Sequence, residues 1–163
     1  MQGDPKVIEY LQGALKKELA AINQYFLHSR MAYDWGYDKL GAKEYEESID
    51  EMQHADKLIQ RILFLEALPN LQDLEKLRIG ENVREMLECD LAGEADSLAY
   101  YREAAAHCEQ VRDYASRDLF TRLIADEEGH YDFLGTQLQL IDQVGLQNYL
   151  QQLMADSLEG EGD

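Results

Sequence analysis

Proline is almost absent from this chain: Pro5 and Pro69 are the only two in 163 residues. A proline inside a helix removes a hydrogen bond and clashes with the preceding turn, so its scarcity leaves long helices open. The abundance of Leu, Ala, Glu, Gln, Lys and Arg points the same way, to an all-α fold. Cysteine is as sparse. Cys89 and Cys108 form no Cys-x-x-Cys pair, which excludes a disulfide framework and a four-thiolate iron centre of the rubredoxin type. No apolar run reaches the ~18 residues that a membrane-spanning helix needs. Positive charge is also short, with 15 Lys and Arg against 33 Asp and Glu, a net charge of -18. That excludes nucleic acid and anionic membrane as partners and suits attraction of small cations, although solubility alone explains many acidic proteins. The opening Met-Gln-Gly-Asp-Pro-Lys is polar, and the expectation is a reduced, cytoplasmic, soluble protein.

The length fits one domain, 1–163, with room for a substantial core. Asp4 and Pro5 read as the cap and first turn of a helix carrying Val7, Ile8, Leu11, Leu15, Leu19, Ile22 and Phe26, ending near Asp34 to Gly36. A second helix is expected from about Leu40 to Glu66, closed by Leu68-Pro69-Asn70. The residues up to Gly80 leave no room for a long helix, but extended they span on the order of 50 Å, enough for a crossover along a bundle. A third helix should run from near Glu81 to between Glu109 and Arg112, with no glycine or proline to mark its end. A fourth follows from about Asp113 to Val144, closed by Gly145. The bundle therefore occupies about 4–144, a short fifth helix about 146–155, and 156–163 read as a mobile acidic tail.

What the chain does have is a doubled motif. Asp50-Glu51-Met52-Gln53-His54 recurs as Asp126-Glu127-Glu128-Gly129-His130, an offset of 76 (126 − 50). Glu and His three residues apart share a helix face and can offer a carboxylate and an imidazole to one ion. Glu18 precedes Glu51 by 33 residues, and Glu94 precedes Glu127 by the same 33. The set Glu18, Glu51, His54 thus maps onto Glu94, Glu127, His130. A lone Glu-x-x-His is weak; this joint spacing is specific. It is the ligand pattern known for ferritin-like di-iron and di-manganese carboxylate proteins, in which four helices face one centre. Apolar pairs follow the same offset, among them Leu11 with Leu87 and Leu58 with Leu134.

Other residues carry weaker signals. Tyr25 stands two turns after Glu18, and Tyr101 stands so after Glu94. A phenol there can hydrogen-bond a ligand or give up an electron, or be ordinary core tyrosine. Asp50 and Asp126 each precede a histidine by four residues and can accept its second ring N–H, or lie at the surface. Met52 sits about 100° around the helix from Glu51, for packing, an interface or a thioether ligand to haem. His28 and His107 lack partners at ligand spacing and read as surface or satisfied polar residues.

Over nearly its full length the chain resembles the bacterioferritins. The stretches 21–28 (Ala-Ile-Asn-Gln-Tyr-Phe-Leu-His), 47–52 (Glu-Ser-Ile-Asp-Glu-Met), 61–66, 68–72 (Leu-Pro-Asn-Leu-Gln) and 145–150 (Gly-Leu-Gln-Asn-Tyr-Leu) carry the likeness beyond the metal ligands. It implies a ferritin-like four-helix bundle with a long crossover between helices 2 and 3. It also implies a cage of twenty-four subunits built from two-fold dimers, a homo-oligomer that a second bacterioferritin subunit can join. Such a cage oxidises Fe(II) with O2 or H2O2 at a di-iron centre and stores Fe(III) mineral. The resemblance makes Met52 the axial ligand of a b-type haem shared by two subunits, serving iron release from a ferredoxin-like electron donor. Many bacterioferritins have His where this chain has Glu46, which with Asp50 forms an iron site on the cavity surface. Gln53 replaces a common Lys, and Leu58 and Phe133 stand where some members have Tyr and Trp. The alternative is a rubrerythrin-like di-iron peroxidase with little storage role, against which the missing four-cysteine site weighs. A purely structural subunit is the third reading, against which the complete ligand set weighs.

Overall fold

The structure is a computed structural model and describes residues 1–158. Of the expected tail, residues 159–163 lie outside the described residues. Five helices and no strand are present among the described residues: α1 Pro5–Asp34, α2 Asp38–Phe64, α3 Val83–Gln110, α4 Tyr114–Val144 and α5 Leu146–Leu153. The fold is all-α, a ferritin-like four-helix bundle with a long crossover and a short fifth helix. The helix ends follow local chemistry. The Asp4 carboxylate accepts from the N–H groups of Lys6 and Val7, with Pro5 in the first turn. Asn82 caps α3 through Glu85 N–H, and Asp113 caps α4 through Ser116 N–H. Gly145, at φ 84°, breaks α4 from α5 in a region of backbone space that side chains disfavour. The turn between α3 and α4 has no glycine, and Arg112 takes the left-handed conformation instead, at φ 65°.

Contacts between neighbouring helices fix their directions. Ser29 Oγ donates to Gly41 O and Ser48 Oγ to Ile22 O, so α1 and α2 are antiparallel. Gln24 meets Asp90 while Tyr10 meets Glu103, so α1 and α3 are antiparallel too. With α2 and α3 therefore parallel, their link must return the length of the bundle. Residues 65–82 do so, travelling alongside α1 in its own direction: Leu68 O accepts from Gln12, Glu75 pairs with Lys17, Arg78 N–H donates to Gln24, and Gly80 N–H donates to His28. At Gly80 an added Cβ would press on the backbone of Glu85 and Met86. Gly80→Ala is expected to lower stability by about 1–3 kcal/mol, the cost of overpacking against atoms that cannot give way; thermal unfolding of the two proteins measures it.

Two apolar cores fill the ends of the bundle. One joins Leu11, Leu15, Leu58, Ile62, Phe120 and Leu123. The other joins Ala32, Leu40, Leu87, Leu134, Ile141 and Tyr149, the last brought in by α5. Each large apolar side chain so buried contributes about 1.5–3 kcal/mol. That stability supports what lies between them: Glu18, Glu51, His54, Glu94 and Glu127 are all buried at mid-height.

Candidate metal centre

The six residues of the doubled motif converge from four helices. Glu18 comes from α1, Glu51 and His54 from α2, Glu94 from α3, Glu127 and His130 from α4. They form two overlapping groups, Glu18–Glu51–His54–Glu127 and Glu51–Glu94–Glu127–His130, each with one ligand atom per residue within 4.8 Å of the others. Glu51 and Glu127 belong to both. The imidazole rings lie 6.5 Å apart, stacked. His54 Nδ1 is 3.0 Å from Glu127 Oε1 and 3.6 Å from Glu18 and Glu51. His130 Nδ1 is 3.3 Å from Glu51 and 3.6 Å from Glu94 and Glu127. These approaches are not aligned as hydrogen bonds. Glu18 Oε2, Glu51 Oε1, His54 Nδ1, Glu94 Oε2, both oxygens of Glu127 and His130 Nδ1 are buried with no partner. Orphaned polar atoms are costly in an interior, so their convergence calls for something to satisfy them at once. Two divalent cations fit this donor set of carboxylates and imidazoles.

Electrostatics supports the same reading. Burial works against the charge on Glu127, yet His130 and His54 hold it down to about 2. Burial, then the charges of Glu127 and Glu18, push Glu51 well above the carboxylate range. Burial opposes the charged form of His54, but Glu127 and Glu18 raise it to about 11, and Glu127 and Glu47 raise His130 further. The neighbouring carboxylates thus favour protons on the two imidazoles, and a cation must compete with them. Binding of Zn(II) is expected to release protons at neutral pH and to weaken as pH falls. Calorimetry in buffers of different ionisation enthalpy reads that release, and a heat independent of buffer would count against it.

The supporting contacts cross between hairpins. Tyr25 Oη donates to Glu94 Oε1 and Tyr101 Oη to Glu18 Oε1, each at 2.5 Å. His54 Nε2 meets Asp126 Oδ2 at 2.9 Å, and His130 Nε2 meets Glu47 Oε2 at 2.5 Å with Asp50 Oδ2 at 3.6 Å. Glu46 stands apart: its carboxylate is 65% exposed and 4.0 Å from Lys43, whereas Glu47 joins Asp50 and His130. Met52 is 53% exposed on the outer face of α2, on one helix face with exposed Tyr45 and Ile49, and the Tyr45 ring lies 6.4 Å from that of Phe26 on α1.

Four residues that motif spacing did not single out are also buried here. Besides Glu47 they are His28, Glu44 and Asp90. His28 Nε2 accepts from Gly80 N–H, so Nδ1 carries the proton and donates to Asp90 at 2.9 Å. With both ring nitrogens engaged, His28 ties the crossover to the bundle and has no free donor for a metal. Burial and then Asp90 push the Glu44 carboxyl well up. Their signal was periodicity: Glu44, Glu47, Glu51 and His54 share one helix face. A cavity of about 60 Å³, lined in part by Gln24, Tyr25, Arg78 and Asp90, reaches Glu51 and Glu94 from the crossover side.

Four long helices closed around this cluster, with a crossover along the bundle, define a ferritin-like bundle, and residues 8–144 match the ferritin family, described as a ferritin-like domain. A bacterioferritin of Brucella melitensis is 55% identical over 161 residues, 99% of this chain and 100% of the relative. A bacterioferritin of Rhodobacter capsulatus is 58% identical over 149 residues, covering 91% and 92%. A bacterial ferritin of Synechocystis sp. is 49% identical over 156 residues, covering 95% and 100%. The chain belongs to the bacterioferritin family. No helix among the described residues is long and apolar enough to cross a membrane.

Proposed function

We propose that this chain takes up Fe(II), oxidises it at the mid-bundle centre and stores it as Fe(III) mineral in a cage of twenty-four subunits. The observation that carries the reading is the pair of overlapping ligand groups whose buried atoms lack partners. Two Fe(II) substrate ions occupy the two groups, with Glu51 and Glu127 bridging, Glu18 and His54 on one side, and Glu94 and His130 on the other. Their two electrons reduce O2 to H2O2 with two protons, or H2O2 to two waters. The carboxylate-rich set favours the harder Fe(III) product. Tyr25 and Tyr101 orient Glu94 and Glu18, and Asp126 and Glu47 orient the imidazoles.

The surface strip of Phe26, Tyr45, Ile49 and Met52 fits a flat apolar macrocycle with a thioether ligand. Met52 would hold a b-type haem between two subunits, and that group would supply one-electron transfer from a ferredoxin-like donor for iron release. Glu46 and Asp50 would bind iron on the cavity surface of such a cage. The test is stopped-flow oxidation of Fe(II) in air with sizing of the product. The expected result is a fast phase saturating at two Fe(II) per chain and Fe(III) retained in a large soluble particle. Oxidation no faster than in buffer would overturn it, and peroxide turnover without retained iron would favour the di-iron peroxidase.

A further inference from the structure

We infer that Tyr101 and Tyr100 form a one-electron conduit from the metal centre to the surface between α1 and α3, with Tyr10 the next ring beyond. This rests on the ferroxidase reading above. Tyr101 is fully buried, and its phenol donates to Glu18 Oε1. Its ring lies 6.3 Å from that of Tyr100, edge to face, and Tyr100 lies 5.6 Å from Tyr10 in the same manner. Both spacings are those of rings in direct contact. Tyr100 is half-buried and borders a groove of about 280 Å³ that Lys16, Asn70 and Asp73 help to line. Its phenol donates to the carbonyl of Tyr10 at 3.3 Å and rests over Gly13, where any side chain would take its place. Tyr25 differs. It touches Glu94, but among the described residues no aromatic ring packs against it. Phe120 also packs on Tyr101, at 5.9 Å, but leads into the core and is a far poorer electron donor than a phenol.

The electron balance gives the conduit its use. Reduction of O2 to two waters takes four electrons and four protons, and two Fe(II) at the centre supply two electrons. The other two enter through Tyr101 one at a time. As Tyr101 gives up an electron, its proton passes to Glu18. An electron from Tyr100 restores the phenol and the proton returns. Tyr100, beside solvent, exchanges its own proton there and is refilled by Fe(II) in solution, which becomes Fe(III). In total four Fe(II), one O2 and four protons give four Fe(III) and two waters, two ions being oxidised at the centre and two at the surface. Burial pushes the Tyr100 phenol up to about 12, so it is neutral at rest and its proton leaves with the electron.

The test uses the full-length protein in a Tyr25→Phe background and freeze-quench electron paramagnetic resonance. With Fe(II) limited to the centre and O2 present, a tyrosyl radical is expected, and further Fe(II) should erase it. Adding Tyr100→Phe keeps the ring packing, and there the erasure by Fe(II) should be lost. Adding Tyr101→Phe should abolish the radical. Erasure that survives Tyr100→Phe overturns the conduit, as does absence of any radical in the Tyr25→Phe protein, or a radical that persists there once Tyr101→Phe is added. Absence of fast oxidation in the unsubstituted chain would instead overturn the ferroxidase reading.

Discussion

Replacing Glu94 by alanine is expected to abolish the fast phase of Fe(II) oxidation while leaving the helical fold in place. Glu94 is buried, belongs to the group completed by His130, and is the acceptor of the Tyr25 phenol. Loss of a residue that merely orients a metal ligand costs about 10–100-fold in affinity or activity, so loss of the ligand itself should exceed that. Two opposing effects act on the fold. Alanine strands the buried Tyr25 hydroxyl, at about 1–3 kcal/mol. It also removes one carboxylate from a cluster of four, relieving repulsion in the metal-free protein. Glu94→Gln separates the two, since the amide oxygen still accepts from Tyr25 and the charge is gone. Glu94→Gln should melt no lower than the parent and still lose fast oxidation. Glu18→Ala should behave as Glu94→Ala does, because Tyr101 meets Glu18 as Tyr25 meets Glu94. Unchanged initial rates in any of these variants would remove the residue from the centre.

The second large effect is expected at Met52. Met52→Leu should eliminate bound haem, read as loss of its visible absorption band, and leave Fe(II) oxidation as before. Leucine matches methionine closely in volume, and such exchanges change stability by less than about 1.5 kcal/mol, but leucine offers no sulfur. Met52 also faces away from the cluster: its side chain is half exposed whereas the neighbouring Glu51 is buried. Haem retained with an unaltered spectrum would show that its axial ligand lies elsewhere.

Much of this architecture can be read from the chain, and the reason is its repetition. Metal-ligand chemistry needs particular residues on particular faces, and the offset of 76 states that requirement twice. The same repetition obscures residues without a counterpart. Glu44 maps onto Phe120, Glu47 onto Leu123, Asp90 onto Ala14 and His28 onto Ala104, so the fully buried polar groups on one side of the bundle stayed out of view. Spacing along a helix also fixes a face but not the helix opposite. Tyr25 and Tyr101 therefore reach the glutamates of the other hairpin, and Asp126 supports His54 rather than His130. Helix ends with a strong local signal, such as Asp4-Pro5 and Gly145, fall where the residues imply. The α3–α4 turn, where Arg112 stands in for glycine, could be placed only by symmetry of the ligands.

The most direct measurement is anaerobic titration of the metal-free protein with Co(II), a redox-inert stand-in whose visible spectrum reports its ligands, in the parent and in Glu51→Ala. Glu51 belongs to both groups. Two tightly bound ions per chain are expected in the parent, with both weakened by the single substitution. One ion or none in the parent, or two bound as tightly without Glu51, would contradict a shared two-metal centre.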